Sequence, residues 1–482
     1  MKRSTPATLA MIAVLASCVA GVGVAQAASA TDASVGIQGT KSPEAGLSKV
    51  YRSARSLTTG FADFHFTSPD DSLRRDILDT SKKLNADTIR LYVNWRSIAP
   101  SNRPDGFVAT NPESPGYDWG SLDKAVRDSR ARGMRTILLI NVAPAWAEGK
   151  NRPHYAPAGT WKPNRSDVAD FGTAIAKRYK GQVRDYIFWN EPNLTLWFLP
   201  QTGAPGRYRS LLNAFYDAVH RVDDTNRVIT AGTAPYGGGK SNGQVNVPPL
   251  EFWRKVMCVK DNRKLSPMKC PTKAKFDVLA HHPINVKGGP LTSAVDDDDI
   301  STPDLKNLVS VLRAAEKAGH VKPAGRRPVW ATELWWETKP QDPLRSNPSL
   351  ALQARWYQQA LYLLWKQGAS LVLFYQVRDD VYDGVPGLSS WESGVQLVDG
   401  TPKPSSRAVE FPFVADRKSK RKVLLWGKAP RSGVLKVMDG KKRVTKVKIK
   451  AGNVFTKTVR LRGKHGLRAK VGNVKSLTWR LK

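Results

Sequence analysis

The sequence predicts an α/β protein: a (β/α)8 TIM barrel with a C-terminal antiparallel β-sandwich domain. Between residues 56 and 405, apolar strand-like runs alternate eight times with helical patterns or long loops, which is typical of this barrel. No glycine-rich phosphate turn follows the first run, and this argues against a doubly wound open sheet. The eight runs span residues 57–66, 88–95, 135–146, 183–189, 227–233, 276–282, 328–333 and 370–377.

Two of the intervening helices have recognisable ends. One begins near Ser166, covers residues 168–179 and is closely followed by a glycine. The other begins at Thr302, where a proline and an aspartate form the first turn, and ends near Gly319. These end signals favour helical crossovers between the strands.

The N-terminus has the pattern of a secretory signal peptide over residues 1–27. A basic start precedes an apolar run at 9–24, and a small-residue cleavage site follows. We therefore expect a secreted protein without a retained membrane span, with residues 28–55 as an N-terminal linker. Cys18 ends a Leu-Ala-Ser-Cys sequence that resembles a lipoprotein processing site, so lipid anchoring on the outer face of the membrane is the alternative. The apolar run continues past Cys18, which favours ordinary cleavage.

Cys258 and Cys270 are the two cysteines that remain after the expected cleavage. Both lie in one Lys-rich and Pro-rich insertion, without a neighbouring histidine that would indicate a metal site. Two cysteines in an exported protein most often pair. The sequence therefore predicts an intramolecular disulfide, and it predicts neither a metal site nor a cofactor.

The strongly basic charge is concentrated in the C-terminal module, residues 406–482. Residues 403–482 hold 25 Lys and Arg against three acidic residues, a net +22 of the total +35. Lysine-rich strands bind polyanions, so an anionic cell-wall polymer is one expected partner. A structural module that docks on the barrel is the alternative. The module has few aromatic residues, chiefly Trp426, Phe455 and Trp479, so we expect no nucleic-acid partner. We also expect a monomer.

The fourth strand-like run ends in a motif whose residues can take part in catalysis. Its apolar, aromatic residues stop abruptly at Asn190, Glu191 and Pro192, where proline restricts the preceding residue to extended conformations. In a parallel barrel, this carboxyl end of a strand faces the catalytic mouth. A carboxyl group beside indole rings suits a proton donor.

The seventh run supplies a second carboxyl group at Glu333, which again closes an apolar strand beside tryptophans. Strands four and seven lie across a barrel mouth from each other. Two carboxylates about 5 Å apart make a retaining glycosidase site, with one proton donor and one nucleophile. Glu337 is the competitor for this role, and its place beyond the strand end makes it the weaker candidate.

The motif Trp-Asn-Glu-Pro-Asn-Leu at 189–194, together with the strand ending at Thr332-Glu333, resembles the retaining glycoside hydrolases of clan A. The likeness covers residues 56–405 and is strongest to family 39 and to actinobacterial cellulase-like family 5 relatives. It implies that Glu191 is the acid/base and Glu333 the nucleophile of a glycosidase that cleaves O-glycosidic bonds by double displacement.

The same resemblance implies roles for further residues. Asn190 would bind the sugar 2-hydroxyl, and Arg90 would hold the nucleophile ionised. His282, rather than His281, would contact the substrate and the nucleophile. Relatives often have a tyrosine at the position of Ile284, so that contact would have to come from another residue such as Tyr236.

Aromatic residues at or beyond strand ends are expected to form sugar-stacking platforms. Tyr375, or its neighbour Phe374, would replace the tryptophan floor that the clan usually has after strand eight. The other platform candidates are Trp146, Trp197, Trp335 and Trp336. A carbohydrate-binding barrel without catalysis is the alternative function.

Overall fold

A computed structural model describes residues 56–481, except 242, 340–344 and 382–389. The predicted signal peptide, the linker and Cys18 lie outside the described residues. Within them, the predicted barrel fold is confirmed. The strands of the barrel are β1 Thr58–Ala62, β2 Thr88–Asn94, β3 Arg135–Asn141, β4 Asp185–Phe188, β5 Arg227–Ile229, β6 Leu279–His281, β7 Val329–Leu334 and β8 Ala369–Tyr375.

All eight strands are parallel and pair in the order β5-β4-β3-β2-β1-β8-β7-β6. Isolated parallel bridges from Ile229 to Val278 and from Thr233 to His281 join β5 to β6 and close the ring. The helices that follow the strands are α1 Asp71–Lys83, α2 Gly120–Ala131, α3 Arg165–Arg178, α4 Ala204–Val222, α5 Pro249–Val256, α6 Leu305–Lys317, α7 Leu350–Lys366 and α8 Pro404–Glu410.

Two helix starts differ from the prediction. Asn164 caps α3, since its side chain accepts hydrogen bonds from the backbone of the second and third helical residues. At the other helix, the N-cap is Ser301 rather than Thr302: Ser301 and Asp304 form a capping box that opens a 3-10 turn, and α6 continues from it. In both cases an equally good capping residue stands just upstream of the predicted one.

Alternating side chains of the strands fill the barrel interior. Ile137 and Leu139 of β3, Ile187 of β4 and Leu371 and Leu373 of β8 belong to one buried apolar cluster. Towards the carboxyl ends of the strands, polar side chains replace these apolar ones. The barrel is therefore a packed core with one polar mouth, as this fold requires.

The C-terminal module consists of two antiparallel sheets. One has the order β9-β10-β13, and the other has the order β12-β11-β14, with β15 and β16 both paired to β14. The strands are β9 Phe413–Arg417, β10 Lys422–Lys428, β11 Gly433–Asp439, β12 Lys442–Ile449, β13 Val454–Arg460, β14 His465–Val471, β15 Val474–Lys475 and β16 Trp479–Leu481.

The module packs along α7 of the barrel. Trp426 is fully buried, with ring centroids 5.6 Å from Tyr362 and 5.9 Å from Trp365. The guanidinium of Arg355 lies 4.0 Å from the centre of the Trp479 ring. Buried apolar residues of the module and of the barrel form one continuous cluster, so the contact between them is a packed interface.

The predicted disulfide between Cys258 and Cys270 is confirmed, with an S–S distance of 2.10 Å. It closes the insertion between α5 and β6. Among the helices of the described residues, none has the length and apolar character needed to span a membrane.

Candidate active site

Glu191 reaches the barrel mouth through an unusual backbone turn. Immediately after β4, Trp189 has φ 73° and Glu191 has φ 37°, a left-handed region that non-glycine residues rarely adopt. The extended conformation expected for Glu191 before Pro192 is therefore wrong. The Glu191 amide donates to the carbonyl of Gly232 at 3.0 Å, and the Glu191 carbonyl accepts from Leu194 at 3.0 Å. These bonds hold the strained turn and fix where the carboxyl group points.

Glu333 lies at the opposite side of the mouth, at the end of β7. The pairing of β7 with β8 shifts register between Ala331 and Leu334. This irregularity interrupts the strict inside–outside alternation of the strand. Arg90 of β2 receives the carboxyl group: its guanidinium donates to Glu333 Oε1 at 2.7 Å and to the Thr332 carbonyl at 3.2 Å.

His282, just beyond β6, joins the two carboxyl groups. Its Nδ1 lies 2.9 Å from Glu191 Oε1 and 3.8 Å from Glu333 Oε2. One carboxylate oxygen from each glutamate and one histidine nitrogen all lie within 4.8 Å of one another. On the other side, the indole N–H of Trp197 donates to Glu191 Oε2 at 3.2 Å. The structure thus brings together residues from β2, β4, β6 and β7.

The electrostatic environment keeps Glu333 ionised. Burial of its carboxyl group works to raise the pKa, but attraction to His282 and to Arg90 outweighs burial and holds the pKa of Glu333 below its usual range. A buried carboxylate with its charge preserved is what a nucleophile needs.

The donor set of Glu191, His282 and Glu333 also has the composition of a small cation site. The guanidinium of Arg90 already supplies a positive charge 2.7 Å from Glu333. A bound cation would have to share that carboxylate with a buried arginine, which disfavours a resident metal.

Four buried polar atoms of these residues have no hydrogen-bond partner within the described part of the chain: Arg90 Nε, Asn190 Oδ1, His282 Nε2 and Thr332 Oγ1. A buried polar atom without a partner is costly. Of the four residues, Asn190 is directly beside Glu191, where its amide oxygen can accept a hydrogen bond from a substrate hydroxyl.

An aromatic wall borders the site beside β1 and β8. Tyr375 of β8 contacts Trp391 at 5.7 Å and Phe64 at 6.0 Å between ring centroids, and Trp391 contacts Trp335 at 4.9 Å. Phe64 also packs against Tyr92 at 5.0 Å and remains 43% exposed. Trp335 and Tyr375 were predicted from the sequence, whereas Phe64, Tyr92 and Trp391 were not. The only sequence signal for Trp391 was an aromatic residue in the long connection after β8.

Two of the tryptophans predicted to be sugar-stacking platforms, Trp336 and Trp146, pack against other side chains of the protein. Trp336 is 1% exposed and lies against Trp356 and Tyr357. It has no free ring face, so it is a core residue and its predicted role as a platform is wrong. Trp146 packs edge-on against Trp95, and Arg103 covers one face of its ring at 4.5 Å, so its role as a platform stays a prediction.

The remaining candidates are also placed. His281 is fully buried: its Nδ1 lies 2.9 Å from the hydroxyl of Thr233, its Nε2 lies 2.9 Å from the Ile300 carbonyl, and burial lowers its pKa to about 3. It is a structural histidine. Glu337 is 2% exposed and forms an ion pair with Arg345, so its carboxyl group is paired away from Glu191 and Glu333.

Comparison with known proteins agrees with the barrel fold. Residues 56–261 match the family model described as cellulase, glycosyl hydrolase family 5. A family 39 glycoside hydrolase from Bacteroides cellulosilyticus is similar in fold, with 15% identity, a TM-score of 0.54, and coverage of 85% of this chain and 79% of that one. No curated protein matches the sequence.

Two further solved structures are similar at lower scores. A glucosidase from Croceicoccus marinus has 14% identity, a TM-score of 0.49, and coverage of 86% of this chain and 81% of that one. GH5_18 from Streptomyces cattleya has 16% identity, a TM-score of 0.48, and coverage of 74% and 80%. The family match and the shared barrel fold support a glycosidase of clan A, as the resemblance in the sequence implied.

Proposed function

We propose that this clan A glycosidase is a secreted, retaining enzyme that cleaves O-glycosidic bonds of a poly- or oligosaccharide. One observation carries the proposal: oxygens of Glu191 and Glu333 lie within 4.8 Å of each other. Retaining enzymes hold their carboxyl groups about 5–5.5 Å apart, whereas inverting enzymes need about 6.5–9.5 Å to admit a water between them.

The reaction takes two steps. Glu333 attacks the anomeric carbon and forms a covalent glycosyl-enzyme, while Glu191 protonates the departing glycosidic oxygen. Glu191 then takes a proton from water, which hydrolyses the intermediate and releases Glu333. Arg90 keeps the nucleophile ionised, and the indole of Trp197 orients the Glu191 carboxyl group.

Substrate contacts surround this pair. Asn190, with its unpartnered amide oxygen, is proposed to bind the 2-hydroxyl of the sugar that reacts. His282 bridges the two carboxyl groups and positions both of them. Tyr375 and Trp335 belong to the aromatic wall, and this wall is proposed to support the apolar face of the sugar rings.

Export and assembly are part of the proposal. The signal-like pattern at 1–27 and the disulfide both fit an oxidising compartment outside the cytoplasm. Lipid anchoring through Cys18 is the alternative mode of export. We also propose that the enzyme acts as a monomer and that its basic module associates with an anionic cell-wall polymer.

The test is the stereochemistry of turnover on nitrophenyl glycosides and polysaccharides. NMR in the first minutes should show a product with the anomeric configuration of the substrate. Glu333→Gln should abolish turnover. Glu191→Ala should slow the hydrolysis of substrates with poor leaving groups far more than that of activated aryl glycosides. Added azide should partly restore the activity of this variant.

Glu337→Gln is the matched control, because this carboxyl group is buried nearby but lies outside the catalytic pair. It should lower stability and retain most turnover per folded molecule. Inversion of configuration would overturn the retaining mechanism. Sugar binding without hydrolysis of any glycoside would favour the non-catalytic alternative.

A further inference from the structure

The outer face of the larger sheet in the C-terminal module carries a row of four lysines. Lys436 of β11 lies directly opposite Lys446 of β12 on one side and Lys470 of β14 on the other, and Lys470 lies opposite Lys475 of β15. All four are exposed. With neighbouring strands about 4.8 Å apart, this lysine row crosses four strands over about 14 Å.

Three more cations extend the lysine row into a basic face. Lys448 and Arg468 lie two residues from members of the row, and Arg480 pairs opposite Gly466, so all three point to the same side of the sheet. Between residues 433 and 481 the sequence has a single acidic residue, Asp439.

Within the part of the chain that the structure describes, no carboxylate pairs with this basic face. Asp439 is occupied by the imidazole of His465 at 2.6 Å and the amide of Gly466 at 3.2 Å. Among the described residues, no salt bridge involves any of the seven cations of the basic face.

A row of like charges works against the sheet that displays it, because like charges directly opposite each other on neighbouring strands are destabilising. Protection of exposed sheet edges explains lysines on edge strands. It does not explain Lys436 and Lys470, which lie on β11 and β14, the two strands with partners on both sides. A ligand that supplies negative charge along the row would relieve the repulsion and stabilise the folded sheet.

The chemistry of the surface selects among polyanions. Trp426, Phe455 and Trp479 are at most 5% exposed, so the module has none of these rings available for stacking nucleic-acid bases. The attached barrel carries a glycosidase site, which points to a polymer of sugars. A sugar ring is about as long as the ~4.8 Å spacing between strands. A chain that runs across the strands can therefore place ring carboxylates along the lysine row.

The contact with the barrel places the basic face on the same body as the active site. Trp479, next to Arg480, is held by Arg355 in the second turn of α7. The N-terminus of α7 follows β7, the strand that carries Glu333, at the mouth end of the barrel. A polymer on the basic face is thus bound to the module that packs against α7, the helix that begins at the mouth.

We propose that the basic face docks an acidic polysaccharide, a chain of sugar rings that bear carboxylates, and retains this polymer at the enzyme. This inference rests on the proposed function, since the glycosidase barrel is the reason for choosing a sugar polymer.

The experiment uses the full-length protein and polygalacturonate as the probe. Binding is followed by affinity electrophoresis and by titration at several salt concentrations. Fully methyl-esterified polygalacturonate, with the same chain but no charge, is the ligand control. Wild-type protein should bind only the charged polymer, with an affinity that falls steeply as salt rises.

The variant Lys436→Gln/Lys470→Gln removes the two central charges of the row. It should weaken binding by roughly tenfold and reduce the salt slope by about two. The matched control is Lys82→Gln/Lys83→Gln in α1, which removes two exposed charges from the barrel and should leave binding unchanged. Thermal unfolding without ligand verifies that both variants are folded.

Several results would overturn the proposal: no binding of polygalacturonate, equal loss in both double variants, or tighter binding of DNA or of polyglycerol phosphate than of polygalacturonate. Hydrolysis of a nitrophenyl glycoside is measured in parallel and should be the same in the row variant as in wild type. If that hydrolysis is absent while row-dependent binding persists, the catalytic proposal fails and the docking surface stands.

Discussion

At the scale of single residues, the site depends on how the charge of Glu333 is maintained. Its pKa lies below the usual range because attraction to His282 and Arg90 exceeds the effect of burial. A carboxyl group with a lowered pKa in the folded state stabilises the fold at pH values above its unfolded-state pKa. That contribution is lost as pH falls through the folded-state pKa.

Arg90→Gln should therefore move the acid limb of kcat/KM to higher pH, because Glu333 would protonate more readily without the guanidinium. We expect kcat/KM at neutral pH to fall by about 10² or more. The measurement is the pH profile of nitrophenyl glycoside hydrolysis. Arg90→Lys keeps a positive charge and should shift the limb less. An acid limb that stays in place in Arg90→Gln would show that Arg90 does not control Glu333.

The second prediction about a single residue concerns Gly232, which packs closely against His282 and Thr332. A Cβ at this position would lie 2.1 Å from His282 Nε2 and 2.8 Å from Thr332 Oγ1. Gly232→Ala should push the imidazole out of place between the carboxyl groups and lower kcat by about 10², with an overpacking cost of about 1–3 kcal/mol in stability.

Gly206→Ala is the control, since a Cβ there meets no atom within 4 Å and the residue lies inside α4, where alanine is favoured. It should retain full activity with equal or higher stability. Normal kcat in Gly232→Ala would contradict the positioning role of His282.

At the scale of elements, the sequence predicted the strands better than the details at their ends. The runs at 183–189 and 328–333 were recognisable because apolar residues stop abruptly at Glu191 and Glu333. The left-handed turn at Glu191 and the register shift in β7 were not predictable, because the bonds that hold them come from neighbouring strands.

The aromatic wall shows the same limit. Phe64 follows β1 and Trp391 lies in the connection after β8. Both contact Tyr375 because the closed barrel brings β1 beside β8. Trp335 and Trp336 are adjacent in the sequence, but Trp335 lies in the aromatic wall and Trp336 lies in the core. No local sequence pattern distinguishes these two positions.

The start of α6 gives an element-level prediction. The Ser301 hydroxyl lies 2.6 Å from Asp304 Oδ2 and donates to the Thr292 carbonyl at 2.9 Å. Ser301→Ala should lower the free energy of unfolding by about 1 kcal/mol without changing kcat, because α6 lies outside the catalytic constellation. Ser301→Thr keeps the hydroxyl donor and should keep most of the stability. Chemical denaturation measures both, and an unchanged stability in Ser301→Ala would count against the capping box.

At the scale of the whole molecule, the barrel and the basic module share an interface that behaves as core. Lys428 of β10 is buried, and its amine donates to the Thr59 hydroxyl at 2.9 Å and to Asp87 at 2.7 Å, both at the start of barrel strands. The buried Lys428 amine, with its two partners, and the continuous apolar cluster hold the module against the barrel. The lysine row is therefore held in a fixed position relative to the mouth.

This interface predicts that the two parts unfold together. Trp426→Ala should remove about 3–5 kcal/mol of stability, because Trp426 is fully buried between Tyr362 and Trp365 of α7. Calorimetry should show one transition in the wild type and one, at lower temperature, in the variant, with catalytic activity lost at the same midpoint. Val434→Ala, on the same module but exposed, should shift the midpoint little. A barrel transition that stays at the wild-type temperature while the module melts alone would mean that the interface does not couple them.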